Sequence, residues 1–337
     1  MSKEAAVIGA GSWGTAFCLL LSRQGIKTRL WVREEEIYQE IKSNRTNNLF
    51  LPGFILPPEV LPCLDLAEAI DDAEMTFVAV PSRFCRGVYL RMAKNLRPGQ
   101  IVVSLTKGLE EGSLMRMTEI MARIFPPEVF LAVLSGPSFA REVASGWPTA
   151  VVVASEVAEV AEKIQRALSS LNFRVYTSPD VKGVEIAGAV KNVIALAAGI
   201  SDGLGFGHNA RASLITRGLV EITRLGLKLG AKQETFYGLA GIGDLVLTAT
   251  GLLSRNYQVG FRIGQGEKLP TILAGMKMVA EAVPTSISVK ELATREGIEM
   301  PICHEVYQVL HNNKDPRTSL IDLMSRSLKG EPLSPGS

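Results

Sequence analysis

The chain has 337 residues, 47% of them hydrophobic and 21% charged, with 36 Lys and Arg against 34 Asp and Glu. That length suits roughly two domains, the apolar content excludes a disordered chain, and a formal net charge of +2 supplies no global field to draw nucleic acid or an anionic membrane, so any anion must be caught by a local cluster of donors. Four cysteines without a CxxC pair (Cys18, Cys63, Cys85, Cys303) point to a reduced, cytoplasmic setting, and His208, His304 and His311 form no HExxH or mixed ligand cluster, so no metal is expected.

Lys3 before the apolar run Ala5–Leu21 has the outline of a signal peptide. Glu4 and the interruptions at Gly9, Gly11, Ser12 and Gly14 make a glycine-rich turn the better reading. Ala5–Ile8 predicts a strand, Thr15–Gln24 a helix closed by Gly25, and Thr28–Val32 a second strand. Met75–Val80, Ile101–Leu105 and Val129–Leu134 predict further strands. Each ends in a turn signal: Pro81-Ser82, Lys107-Gly108 and Ser135-Gly136-Pro137. Ala150–Ala154 and Phe173–Tyr176 read as two more strands around a helical Glu156–Leu171. This alternation implies an α/β fold with a mainly parallel, doubly wound sheet, whose ligands bind beyond the carboxyl ends of the strands.

Beyond about residue 180 no strand is expected. Val184–Ala198, His208–Leu229, Ser286–Arg295 and Pro301–Leu310 read as helices. The stretch Val184–Gly205 is apolar, but Glu185, Lys191 and Asp202 interrupt it, so a buried helix is expected rather than a membrane span. The resulting division is a dinucleotide-binding domain at 1–180, an all-helical substrate domain at 181–330 and a mobile tail at 331–337.

Gly9-Ala10-Gly11-Ser12-Trp13-Gly14 fits G-x-G-x-x-G between a predicted strand and a predicted helix, the context that makes the motif a Rossmann-type dinucleotide signal. Gly9 permits the tight turn, Gly11 lets a pyrophosphate approach the backbone, and Gly14 lets helix and strand pack closely. The helix N-terminus then offers N–H groups and partial positive charge. At the end of the second strand Arg33 suits the 2′-phosphate of NADP(H). Glu34, one residue on, suits the ribose hydroxyl of NAD(H), so both cofactors stay open with NADPH favoured.

Lys191 lies in a helix whose other residues, Asn192 apart, are small or apolar. Desolvation there would lower its pKa and suit it to general acid–base work, unless its stem carries the amine out to water. Gly238–Leu245 (GLAGIGDL) has too many glycines for a good helix and is expected to present Asp244 on a turn. Ser254 is a candidate N-cap. With Arg255 and Asn256 it makes a fork of donors suited to a phosphate monoester, or an ordinary cap beside an exposed arginine.

Taken together, Gly9–Thr15, Asn47–Gly53 (NNLFLPG), Lys107-Gly108, Ser135–Ala140 (SGPSFA), Lys191-Asn192, GLAGIGDL, Ser254–Asn256 and Glu281 resemble the bacterial-type NAD(P)-dependent glycerol-3-phosphate dehydrogenase family from Gly9 to about Glu281. The resemblance implies reversible hydride transfer between NAD(P)H and C2 of dihydroxyacetone phosphate, feeding glycerophospholipid synthesis. It implies cofactor contacts by Ser12, Trp13, Arg33, Phe50, Lys107, Ala140, Arg255, Val279 and Glu281. It implies substrate contacts by Lys107, Gly136, Ser138, Lys191, Asp244, Ser254, Arg255 and Asn256, with Lys191 as proton donor and acceptor, Lys107 adding positive charge and Asp244 orienting the amine. A homodimer is the assembly common in such dehydrogenases. Hydroxyacid and ketopantoate reductases are the alternative, but their carboxylate substrates leave Ser254-Arg255-Asn256 without a purpose. A silent sensor of the cofactor's redox state would need neither that trio nor Lys191.

Overall fold

A computed structural model describes residues 4–276, 279–328 and 330–331. The tail expected at 331–337 lies outside the described residues from position 332 onward. The chain divides into two compact units, 1–107 with 116–181, and 108–115 with 182–337. One division falls after Val181, and Gly108–Met115 groups with the second unit.

The first unit runs β1 (Glu4–Ile8), α1 (Ser12–Arg23), β2 (Lys27–Trp31), α2 (Glu35–Asn44), β3 (Val60–Cys63), α3 (Leu66–Ile70), β4 (Met75–Val78) and α4 (Ser82–Met92). It continues through β5 (Ile101–Ser104), α5 (Met117–Ile124), β6 (Phe130–Ser135), α6 (Ala140–Ala144), β7 (Thr149–Ala154), α7 (Ala158–Leu168) and β8 (Phe173–Ser178). Its single sheet has the order β3-β2-β1-β4-β5-β6-β7-β8. Every pairing is parallel except β6 with β7. β1 lies between β2 and β4, so the strand order reverses there, and the turn after β1 opens at the switch point where such sheets bind ligands. The central strands β4 and β5 are buried at every position, as expected for strands covered on both faces.

The second unit is helical: α8 (Val181–Gly203), α9 (His208–Lys228), α10 (Gln233–Phe236), a π-helix over Leu239–Gly243, α11 (Asp244–Thr250), α12 (Arg255–Gly264), α13 (Leu269–Ala274), α14 (Ala282–Glu296), α15 (Pro301–His311) and α16 (Pro316–Met324). α8 is long and apolar enough to pass for a membrane span, yet all of its most apolar window is buried within the protein. It is the core helix expected from its composition. The glycine-rich Gly238–Leu245 is not the open turn expected of it. A π-helical turn absorbs the glycines, and a Cβ at Gly241 would lie 2.1 Å from the Phe236 carbonyl oxygen. Asp244 then opens α11 and is 1% exposed, inside the unit rather than on a turn.

Candidate active site

In the first unit the loop from Gly9 to Gly14 joins β1 to α1. Gly9 has φ +111°, and a Cβ there would lie 2.8 Å from the Ala79 carbonyl oxygen at the end of β4. A Cβ on Gly14 would fall 1.9 Å from the Gly9 carbonyl oxygen, so the first turn of α1 packs directly on the loop. Gly11 is different. Nothing lies within 4 Å of its Cβ position, and it is the N-cap of α1 with no side chain capping the helix. Tight backbone behind the loop, open space in front of it and a helix N-terminus aimed there fit the pyrophosphate of a dinucleotide.

The segment Asn47–Gly53 is tied to this loop. Asn47 Nδ2 donates to the Ala10 carbonyl at 2.8 Å and to Thr15 Oγ1 at 2.9 Å, while its Oδ1 accepts from the Phe50 N–H at 3.3 Å. Ser12 Oγ donates to the Phe50 carbonyl at 2.6 Å. Phe50 is thereby held next to the glycine turn, and Trp13 packs edge-on against Phe17 with centroids 5.7 Å apart. Beyond β2, Arg33 and Glu34 pair with one another through Arg33 Nε, at 2.8 Å, and Nη2. Both candidates for the ribose therefore share one place, and neither excludes the other. Phe84 lies under two guanidinium groups, with Arg83 4.5 Å and Arg33 5.6 Å from its centroid. The sequence reading overlooked Arg83 and Phe84; the signal was their place just after the β4 turn.

Lys107, at the end of the β5 turn, donates from Nζ to the Gly136 carbonyl at 2.9 Å, and Ser138 Oγ donates to the same oxygen at 2.9 Å. Gly136 has φ +132°, and its Cβ position is only 3.0 Å from Val151 Cα, which explains a glycine in this turn. Ala140 opens α6 immediately after it.

In the second unit, α8 carries Lys191 into the interior. Its side chain is 6% exposed, and Nζ donates to Asp244 Oδ1 at 2.9 Å and to Thr248 Oγ1 at 2.5 Å. The amine does not reach out to water along its stem. Burial alone would favour the neutral amine, but the carboxylate beside it supplies the compensating charge that the neighbours of Lys191 in sequence do not. Asp244 and Thr248 are four apart on α11 and so share one face. The Thr248 hydroxyl also lies 2.6 Å from the Asp244 carbonyl. Thr248 escaped the sequence reading, although its spacing from Asp244 was the available signal.

Ser254 caps α12, its Oγ accepting from the Tyr257 N–H at 3.2 Å. Asn256 is not a loose prong of a donor fork. Its Nδ2 donates to Asn192 Oδ1 at 2.9 Å and its Oδ1 accepts from the Ala282 N–H at 3.0 Å, so it bridges α8, α12 and the start of α14. Arg255 donates from Nη1 to the Val279 carbonyl at 3.0 Å; part of its side chain meets solvent, yet burial of the guanidinium among its neighbours lowers its pKa, and the Glu281 charge opposes that shift. Ser254, Arg255, Asn256, Val279 and Glu281 are thus one neighbourhood, built from the head of α12 and the head of α14.

A sheet that winds both ways from β1, with glycines and a helix N-terminus at the reversal, is the framework of a Rossmann-type oxidoreductase that uses a nicotinamide dinucleotide. The model of the NAD-dependent glycerol-3-phosphate dehydrogenase N-terminus matches residues 4–161, and that of the C-terminus matches residues 180–321. The chain belongs to this NAD(P)-dependent glycerol-3-phosphate dehydrogenase family. It is 54% identical to the glycerol-3-phosphate dehydrogenase [NAD(P)+] of Geobacter sulfurreducens, over 98% of this chain and 99% of the relative. It is 52% identical to that of Citrifermentans bemidjiense with the same coverage. The crystal structure of glycerol-3-phosphate dehydrogenase from Coxiella burnetii superposes with a TM-score of 0.93 at 40% identity, covering 96% of this chain and 99% of that one. These matches do not favour the carboxylate-reducing alternative.

Proposed function

We propose that the chain interconverts sn-glycerol 3-phosphate and dihydroxyacetone phosphate, with Lys191 giving and taking the proton at the C2 oxygen. The observation that carries this reading is the buried pair of Lys191 Nζ and Asp244 Oδ1, 2.9 Å apart. A bound nicotinamide supplies the hydride for C2. As an ammonium, Lys191 polarises the ketone, then transfers its proton to the oxygen on which negative charge develops. Asp244 holds the amine in place and balances its charge before the transfer, and Thr248 fixes the direction of the N–H bonds.

Cofactor roles are proposed for Gly9, Gly11, Ser12, Trp13, Gly14, Arg33, Phe50, Lys107, Ala140, Arg255, Val279 and Glu281. Substrate roles are proposed for Lys107, Gly136 and Ser138 in the first unit and for Lys191, Asp244, Ser254, Arg255 and Asn256 in the second. The head of α12 supports a phosphate grip, because Ser254 turns the chain there and leaves Arg255 partly open to solvent beside the helix N-terminus. Arg33 and Arg83, both lying against the Phe84 ring, support NADPH over NADH, since a 2′-phosphate gains from a second guanidinium within reach. Four free, buried cysteines support a reducing cytoplasmic compartment. A homodimer and a supply of glycerol phosphate to phospholipid synthesis complete the reading.

The test is direct. The purified chain is expected to oxidise NADPH or NADH when given dihydroxyacetone phosphate and to leave ketopantoate and short 2-keto acids untouched. Turnover on the acids with none on the phosphate would reverse the assignment.

A further inference from the structure

α8 and α12 lie against one another backbone to backbone. A Cβ on Gly199 would fall 2.1 Å from the Tyr257 carbonyl oxygen, and one on Gly203 would fall 2.1 Å from that of Phe261. Reciprocally, a Cβ on Gly260 would fall 2.1 Å from the Leu196 carbonyl oxygen, and one on Gly264 would fall 2.4 Å from that of Ile200. Each helix thus turns two glycines, four residues apart and on one face, toward the other helix. No side chain separates the two backbones along this seam.

The order of the contacts shows that the helices run in the same direction. Asn192 meets Asn256, Leu196 and Gly199 meet Gly260 and Tyr257, and Ile200 and Gly203 meet Gly264 and Phe261. The head of α12, with Ser254, Arg255 and Asn256, is therefore level with Lys191 and Asn192. Further along, the Tyr257 hydroxyl donates to Asp202 Oδ2 at 2.7 Å, and Arg211 from α9 pairs with the same oxygen at 2.7 Å. This latch resists sliding of α12 along α8.

We infer that the glycine seam, latched by Tyr257 on Asp202, fixes the distance from the Lys191 ammonium to the donors at the head of α12, and so sets the length of phosphorylated ketone that the site accepts. The inference rests on the proposed roles of Lys191 and of Ser254–Asn256. In dihydroxyacetone phosphate the carbonyl carbon is one carbon from the phosphate ester. An added methylene displaces the phosphate by about 1 Å or more. A misplacement of that size costs on the order of 100-fold in rate when the groups at both ends are held rigidly. A seam of backbone on backbone supplies that rigidity, because it has no rotamers through which to relax. Gly199, Gly203, Gly260, Gly264, Tyr257 and Asp202 are positioning residues in this scheme, since they act through Lys191 and the phosphate grip.

The experiment compares two ligands on wild type, Gly260→Ala and Tyr257→Phe. The first is dihydroxyacetone phosphate, read as kcat/KM. The second is the homologous phosphorylated ketone with one more methylene between carbonyl and ester, read likewise as kcat/KM for its reduction. Gly260→Ala is expected to lower kcat/KM for dihydroxyacetone phosphate by roughly 100-fold and that for the longer ligand much less, so that the ratio of the two shifts at least about tenfold toward the longer. Tyr257→Phe is expected to shift the ratio in the same direction by a smaller factor. A general loss of structure would depress both ligands in parallel. Should Gly260→Ala fail to fold, Tyr257→Phe decides alone. An unchanged ratio in the folded variants overturns the inference. Arg255→Ala separates the two levels: a raised KM there with no ratio change in the seam variants refutes only the seam, whereas an unchanged KM removes the phosphate grip on which the seam depends.

Discussion

Removing the Asp244 carboxylate should destabilise the helical unit by an amount that the burial of its partner sets. Lys191 and Asp244 have side chains 6% and 1% exposed, so neither charge has water to fall back on. Breaking such a pair from one side costs about 3–5 kcal/mol, against about 0–1 kcal/mol for an exposed pair. Thr248 stays within 2.5 Å of the amine and solvates part of its charge, which places Asp244→Ala near the lower end, at about 3 kcal/mol. The double variant Lys191→Met, Asp244→Leu removes both charges and should return to within about 1 kcal/mol of wild type while remaining inactive. Urea unfolding followed by far-ultraviolet circular dichroism reads the effect. Trp13, Trp31 and Trp147 all lie in the first unit, so their fluorescence follows that unit separately. A cost below about 1 kcal/mol for Asp244→Ala would show that the pair is hydrated and that the desolvated-lysine reasoning is wrong.

Gly11→Ala and Gly14→Ala should part company. With nothing within 4 Å of its Cβ, alanine at Gly11 should leave the melting temperature unchanged while weakening NADPH binding in calorimetry at least about tenfold; alanine at Gly14, 1.9 Å from the Gly9 carbonyl oxygen, should lower the melting temperature itself. Wild-type NADPH affinity in Gly11→Ala would show that the pyrophosphate does not cross that face. Glu221 accepts the N–H groups of Ile302 and Cys303 at 2.7 and 3.2 Å, yet burial pushes its carboxyl from 4.5 up to about 7. A carboxyl raised on folding contributes stability that is fully present below about pH 4.5 and is lost as pH rises through about 7. Glu221→Gln should therefore flatten that slope in urea midpoints measured across this range; an unaltered slope would clear Glu221 of responsibility. Arg33→Ala should lower kcat/KM with NADPH by about tenfold and leave NADH nearly unaffected, corresponding to about 1.4 kcal/mol for a charge-assisted contact. Equal losses with both cofactors would place Arg33 outside the 2′-phosphate site.

The parts of the fold that follow a local rule were legible in the sequence. The apolar runs gave seven of the eight strands to within a residue or two, and the Gly9–Gly14 motif marked the switch point. β3 escaped because Pro62 sits within it and Pro57 and Pro58 precede it. Such a strand survives at the sheet edge, where a proline's missing N–H is not needed, and position in the sheet is not written locally. The antiparallel entry of β7 is equally silent, since a fully buried strand has the same composition in either direction. Ser254 marked the head of α12 as a candidate N-cap, but the extent of the helix across Gly260 and Gly264 was not legible. In place they let two backbones touch, and tertiary packing outweighs their propensity. In the site, Lys191 announced itself by its apolar neighbours. Its partners Asp244 and Thr248 lie 53 and 57 residues away, joined to it only by the fold. Asn256 was recognised as part of a motif, but its role in bridging Asn192 to the Ala282 N–H depends on how three helix ends converge.

The sharpest single measurement is a single-turnover comparison of Lys191→Met with wild type, using dihydroxyacetone phosphate and saturating NADPH, alongside the NADPH dissociation constant of each. If the Lys191 amine delivers the proton, hydride transfer slows by about 100- to 10,000-fold while cofactor affinity stays within about twofold. A methionine variant that turns over within about tenfold of wild type would contradict the role of Lys191 as proton donor.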